Sequence, residues 1–360
     1  MALFPSMPSS PLDPAQASRK RELLSLPIEQ LRLPEGGGVA ALVAAMGSTA
    51  FEARNLSSAA DIFTRWAKRD CTKIWTLAGS LFGAGLRGIV IDAVGAGHID
   101  VLVCTGALIE QDMLEALGHH HYRFDSGTAD DAELHALLID RVYDHLLDEL
   151  ALRQVDLTFA RIAEELPAGR YSSRAFLSAA GEWLSLAEHE SGEPARPSLL
   201  VTAFECGVPI FVPALNDCSV GIGLVMQQAQ RGLEDSVGID SIHDFHQLAD
   251  LKASIAESGI VVIGGGVPKN YAQDMVVLAE MLGHDVAPHV FGIQLSVADP
   301  RDGALSGSTL REAISWGKNA PELDEAMVWG EASITLPLLL GTIRETVGAL
   351  PLKRAAKHFD

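Results

Sequence analysis

The residue with the most specific chemistry is Lys318. It ends the run AISWGK, Ala313 to Lys318, where it follows a glycine and stands close to Trp316 with apolar rather than charged residues around it. An ammonium partly withdrawn from water gives up its proton more readily, and a neutral lysine amine is the nucleophile of Schiff-base chemistry. A tryptophan face beside it can hold a cationic or flexible amine. The competing reading is a solvated surface charge, the usual fate of a lysine.

A second chemistry is carried by glycines. Gly264, Gly265 and Gly266 directly follow the apolar run Ile260 to Ile263 and precede a helical pattern. In that context glycine lets backbone approach a phosphate while a helix N-terminus faces it; a plain tight turn explains the same residues. Small residues follow two further apolar runs, at Ala78, Gly79 and Ser80 through Gly83, and at Thr105, Gly106 and Ala107. Converging strand ends of this kind are what a nucleotide crevice needs. The segment Pro213 to Ser219 places Asp217 after another strand, either to bind a ribose hydroxyl or to cap the next helix.

The elements that would position these residues alternate. Apolar spacing predicts helix from Val39 to Arg69, strand at Ile74–Leu77, helix at Leu86–Val94, strand at Asp100–Cys104 and helix at Leu108–Leu117. Residues from about 130 to 195 read as a helical insertion, with a polar break at Arg170 to Arg174. The rhythm resumes with helix Leu199–Cys206, strand Pro209–Val212, helices Gly221–Arg231 and Ile242–Glu257, strand Ile260–Ile263 and helix Tyr271–Leu282. Strands at Val290–Leu295 and Ala326–Trp329 and a closing helix Ile334–Val347 complete it. A βαβα rhythm predicts an α/β fold: one doubly wound domain over 38–360, its sheet mostly parallel with helices on both faces and ligands at the strand carboxyl ends. Residues 1–37, with prolines, serines and Gly36 to Gly38, read as a flexible arm.

A formal charge of −20 opposes nucleic-acid phosphates and anionic membranes and draws cationic ligands such as a polyamine or a basic protein. It serves solubility as well. The four cysteines, Cys71, Cys104, Cys206 and Cys218, show no CxxC pairing and are expected as reduced thiols. No run of about 18 apolar residues occurs, and prolines and serines stand where a signal peptide would place its apolar segment. A cytoplasmic location is expected, with no metal site.

Three segments together resemble deoxyhypusine synthase: PALNDCSVG at 213–221, GGGVPKN at 264–270 and EAISWGK at 312–318, within a similarity running from about residue 70 to the end. The last is the most specific, because the family's catalytic lysine sits in the SWGK context and Lys318 falls on it. The resemblance implies a Rossmann-like deoxyhypusine synthase fold and an NAD cofactor that takes a hydride from an alkylamine and returns it after the alkyl group has passed through the lysine to an acceptor amine. It implies NAD contacts at Ser80, Gly83, Thr105, Gly106, Ala107, Asp217, Gly264, Gly265, Gly266, Asp302, Ser306 and Glu331. It implies an amine pocket at Gln111, Ser219, Asn270, Glu312 and Trp316, and a homotetramer whose active sites straddle a subunit interface.

Departures bear on the substrate. Two carboxylates that hold the polyamine in the eukaryotic enzymes match Ile222 and Leu305, and a pocket histidine matches Asn270. A pocket glutamate matches Gln111, unless a one-residue slip restores it as Glu110. A buried ammonium left without its partner costs several kcal/mol, so a changed donor is expected, as in the deoxyhypusine-synthase-like branch of bacteria. The expected activity is NAD-dependent alkyl transfer between amines through Lys318, with a small amine or a polyamine as substrate. The alternatives are a true deoxyhypusine synthase acting on a translation-factor lysine, a non-catalytic NAD-binding scaffold, and an amine dehydrogenase that releases NADH.

Overall fold

The computed structural model describes residues 12–125, 127–191 and 196–359; residues 1–11 of the expected arm and 192–195 of the expected insertion lie outside the described residues. Three helices lead in: α1 (Pro14–Leu23), α2 (Gly38–Met46) and α3 (Phe51–Trp66). Strand and helix then alternate through β1 (Thr72–Leu77), α4 (Arg87–Gly95), β2 (Val101–Cys104) and α5 (Gly106–Ala116). An excursion follows, with β3 (Tyr122–Arg123), α6 (Asp131–Ala136), β4 (Ile139–Val142), β5 (His145–Asp148), α7 (Glu149–Glu165), β6 (Gly169–Tyr171) and α8 (Ser173–Ser191). The alternation resumes in α9 (Leu199–Cys206), β7 (Ile210–Phe211), α10 (Ser219–Arg231), β8 (Val237–Ile239), α11 (Ser241–Ser254) and β9 (Ser258–Ile263). It closes with α12 (Gly266–Met281), β10 (His289–Ser296), β11 (Asn319–Trp329) and α13 (Ala332–Thr346).

Six strands form one parallel sheet in the order β11-β10-β9-β1-β2-β7. Renumbered 1 to 6 along the chain and read from the β7 edge, that order is 3-2-1-4-5-6, the doubly wound arrangement in which the winding direction reverses between the first and fourth strands. The reversal leaves a crevice at the carboxyl ends of β1 and β9, where the turns after Leu77 and Ile263 begin.

The strands are buried on both faces, and period-2 alternation divides their side chains between two cores. Ile260 and Val262 of β9, with Ile74, Val101 and Val103, pack with Leu248 and Leu251 of α11 and Ala272, Met275 and Val276 of α12. Val261 and Ile263, with Trp75, Leu77 and Leu102, pack with Phe63 and Trp66 of α3 and Leu336 and Leu339 of α13. Helices on both faces are therefore required to cover the sheet.

Several boundaries differ from expectation for local reasons. The segment expected as one helix from Val39 is two, because α2 stops at Gly47 and α3 restarts from an extended Ala50. Helix α1 forms inside the expected arm: Pro14 takes its first turn and Asp13 and Gln16 make a reciprocal capping box, although none of its side chains is buried. The region expected as a helical insertion, about 130–195, includes the hairpin β4–β5, which pairs with the earlier β3 in an antiparallel sheet β3-β5-β4. Its hairpin turns at Tyr143, in the left-handed region at φ 53°, without the glycine or asparagine that usually announces such a turn. β6 pairs in parallel with β8; strands this short carry too little alternation to be read. Among the described residues no helix is long and apolar enough to cross a membrane, and all four cysteines are free.

At the amino ends of β9 and β10 a buried polar chain runs from Lys252 Nζ to Ser258 Oγ (2.7 Å) and from Ser258 Oγ to His289 Nδ1 (2.9 Å). Burial, reinforced by the nearby Lys252 cation, pushes His289 from its ordinary 6.5 down to about 3. The folded imidazole stays neutral where the unfolded one takes a proton, so between about pH 3 and 6.5 stability rises with pH and is lost on acidification. Urea unfolding of His289→Gln across this window is expected to show an acid slope smaller by up to one proton, about 1.4 kcal/mol per pH unit; an unchanged slope would exclude His289 as the source.

Candidate functional site

The predicted residues gather around two cavities on either side of the first turns of α12. The first, about 380 Å³, lies at the sheet's switch point and is walled by the ends of β1, β2 and β7 and the start of α12. Ser80, Thr105, Gly106, Ala107, Asp217 and Gly266 line it together. Asp217 does not cap the next helix: α10 starts at Ser219 from an extended Cys218, with no side-chain cap.

Glycine is required here by both conformation and space. Gly264 and Gly266 are left-handed, with φ 76° and 57°. A Cβ on Gly265 would stand 2.5 Å from Ser306 Cα, and one on Gly106 would stand 2.5 Å from Cys218 Sγ. The loop that carries Ser306 is sewn to the turn: the Gly266 N–H donates to Ser306 Oγ (3.0 Å), and Gln294 Nε2 donates to the carbonyls of Gly264 (3.1 Å) and Ser306 (2.9 Å). Beneath the loop, Lys269 is fully buried, donating to Gln294 Oε1 at 3.0 Å and to the carbonyl and hydroxyl of Ser308 at 2.5 and 2.9 Å. Burial lowers its pKa to about 8. A cradle of bare backbone at a helix N-terminus, with the unpartnered buried hydroxyl of Thr105 beside it, fits a dinucleotide.

Other predicted residues are placed differently. Gln111 Oε1 accepts from the Gly83 N–H (3.0 Å) and its Nε2 donates to Ser80 Oγ (2.7 Å), so it braces the turn after β1. Glu110, one residue earlier, accepts from the Ser219 N–H at 2.9 Å, and burial raises its pKa. Ser219 therefore stands at the start of α10 against Glu110. Asp302 accepts from the Ala304 N–H in an exposed turn (2.7 Å), and Glu331 caps α13 through the Ser333 N–H (2.8 Å). Neither belongs to the walls of the first cavity.

The second cavity, about 640 Å³, contains Lys318, Asn270, Glu312 and Trp316. The segment Glu312–Trp316 forms a short 3-10 helix that ends on a left-handed Gly317, φ 74°, which turns the chain into β11 and sends the lysine side chain inward. Lys318 Nζ lies 2.7 Å from Asp274 Oδ1, 2.8 Å from Asn270 Oδ1 and 5.3 Å from the centroid of the Trp316 ring. The apolar surroundings that Lys318 has along the chain are thus replaced in space by a carboxylate. Asp274 was not singled out by its sequence context; its only signal is the four-residue spacing from Asn270, which puts both on one face of a helix. The two cavities share no wall residue.

The sequence profile of the deoxyhypusine synthase family matches residues 41–343. The chain is 45% identical over 329 residues, 91% of each chain, to a deoxyhypusine synthase-like protein of Chlorobaculum parvum. It is 40% identical over 330 residues, 91% of this chain and 88% of the other, to one of Caulobacter vibrioides. A solved chain from Entamoeba histolytica, titled as a candidate deoxyhypusine synthase, has the same fold at TM-score 0.59 and 15% identity, covering 91% of this chain and all of that one. With the profile spanning most of the sheet and both cavities, the chain belongs to the deoxyhypusine synthase family.

Proposed function

We propose that this protein is an NAD-dependent transferase that moves an alkyl group of the aminobutyl type between amines through an imine on Lys318, with a polyamine-related donor. The observation that carries the reading is the Lys318 amine, aimed into a 640 Å³ cavity beside Trp316 and Asp274 in a chain of this family. When bound, NAD supplies the hydride acceptor and donor. The chain's own contribution is positional. The glycine turn and the residues lining the first cavity hold the dinucleotide, Trp316 offers a face to a cationic amine, and Lys318 as free base adds to the substrate carbon. Ile222 and Leu305 are half-exposed and apolar where a diamine clamp would need anions, which favours a small-amine acceptor over a protein lysine. The reading includes the homotetramer that the family resemblance implies, in which a second copy brings a nucleotide crevice to each lysine cavity. It places the enzyme in the cytoplasm.

The test is to incubate the protein with NAD and spermidine, putrescine, agmatine or homospermidine, add borohydride and map adducts by mass spectrometry. An adduct on Lys318 is expected, its mass naming the alkyl group; bound NAD without an adduct from any of these amines would favour a non-catalytic scaffold, and net NADH without transfer a dehydrogenase. A separate expectation concerns the crevice. Gly265→Val drives a side chain into Ser306, so NAD affinity measured by calorimetry should fall by at least about tenfold with the assembly intact. Unchanged affinity would move the cofactor elsewhere.

A further inference from the structure

Asp274, Asn270 and Lys318 form a closed ring: Lys318 Nζ contacts Asp274 Oδ1 at 2.7 Å and Asn270 Oδ1 at 2.8 Å, and Asn270 Nδ2 donates to Asp274 Oδ2 at 2.6 Å. The carboxylate side chain is 30% exposed and lines the cavity that receives the substrate. Among the described residues, Glu312 is the further charged group lining the cavity, and Lys269 nearby on α12 gives its ammonium to Gln294 and Ser308; α11 contributes Phe245 to the walls. Asn270 offers Lys318 only an amide oxygen, and an amide cannot exchange protons at neutral pH. Among the described residues, Asp274 is the carboxylate in direct contact with Lys318 Nζ, within the distance at which a general base works.

We propose that Asp274 is a catalytic residue, the proton acceptor and donor for imine formation on Lys318; the assignment rests on the transferase reading. Asp274 Oδ1 takes one proton from the Lys318 ammonium. The freed lone pair bonds to the iminium carbon of the donor, and the C=N π pair returns to the donor nitrogen. Asp274 gives its proton to that nitrogen and takes a second from Nζ. The C–N bond then breaks with its electron pair on the departing amine as the Nζ=C bond forms, and the amine leaves as an ammonium with the proton Asp274 holds. Nothing is oxidised or reduced in this transfer, and the lysine ends as the iminium. Asn270 acts as a positioning residue that holds the second carboxylate oxygen.

The test separates this step from hydride transfer by using 4-aminobutanal, which forms the Lys318 imine without NAD. Its cyanoborohydride-trapped adduct is timed by mass spectrometry from pH 6 to 10 in the parent, Asp274→Asn and Asp274→Glu. The asparagine variant is expected to label at least about 30-fold more slowly near pH 7, with the gap narrowing as pH rises and hydroxide takes over proton removal. The glutamate variant is expected to recover most of the rate. Asp274→Ser carries the same comparison should the asparagine variant fail to fold. Labelling as fast as or faster than the parent, or a loss equal at every pH that glutamate does not restore, overturns the proposal. An aldehyde adduct that depends on Asp274, together with no adduct from spermidine and NAD, would overturn the transferase reading and leave Asp274 assigned. A spermidine adduct that forms without regard to Asp274 would do the reverse.

Discussion

Replacing Lys318 by arginine will abolish alkyl transfer while leaving NAD binding intact. Arginine keeps the positive charge and can still pair with Asp274, but its guanidinium stays protonated and offers no nucleophile. Loss of a covalent nucleophile removes a route rather than a contact, so kcat should fall by at least about 10³-fold, about 4 kcal/mol in activation free energy, and the borohydride adduct should vanish. The NAD dissociation constant should not move, because Lys318 lies outside the walls of the first cavity. Equal turnover in this variant would end the imine mechanism. A matched loss of NAD affinity would show instead that the substitution disturbs the loop that carries Ser306.

The largest effect on stability is expected at Asp112, in α5. Its carboxylate is fully buried and accepts from the Leu199 and Leu200 N–H groups at 2.8 and 3.0 Å, from Ser198 Oγ at 2.9 Å and from Arg87 Nε at 2.7 Å. One anion therefore satisfies two of the free N–H groups of α9 and neutralises an arginine whose side chain is only 14% exposed. Asp112→Ala strands all of these at once, and removing one partner of a buried pair costs about 3–5 kcal/mol. The measurement is the urea midpoint of Asp112→Ala, Arg87→Met and the double variant. The double variant should lose less than the sum of the singles, because removing the arginine removes one of the stranded charges. Strict additivity would show that the α9 N–H groups, rather than the ion pair, carry the cost.

Much of the architecture was legible because the two kinds of burial leave different marks. Ile260 to Ile263 is an uninterrupted apolar run followed by glycine, and Ile74 to Leu77, broken only by Thr76, runs into Ala78 and Gly79; this is the mark of strands covered on both faces, and both are central strands. Helices such as α12 and α10 began earlier than their apolar periodicity indicated, since their first turns are made by Gly266 and Ser219. The hairpin β4–β5 was illegible: its strands have four residues each and its turn relies on an unusual Tyr143. Among site residues, the lining of the crevice by Ser80, Thr105, Gly106, Ala107 and Asp217 follows from their places after successive strands. The bracing role of Gln111 and the capping role of Glu331 do not, because a side chain's partner depends on where its tip arrives.

By itself the sequence determined the alternation of strands and helices, the glycine turns at the switch point and a lysine set after Trp316 and Gly317. These are local properties: apolar period, backbone freedom and side-chain chemistry act within a few residues of chain. The tertiary structure alone decided the strand order that puts β1 beside β9, the carboxylate against Lys318, and the separation of crevice and lysine into cavities with no lining residue in common. Each joins residues tens to hundreds of positions apart, and such contacts are set by how helices cover both faces of a twisted sheet. Asp274, in the third turn of α12, and Lys318, directly after the turn at Gly317, meet only in the folded chain.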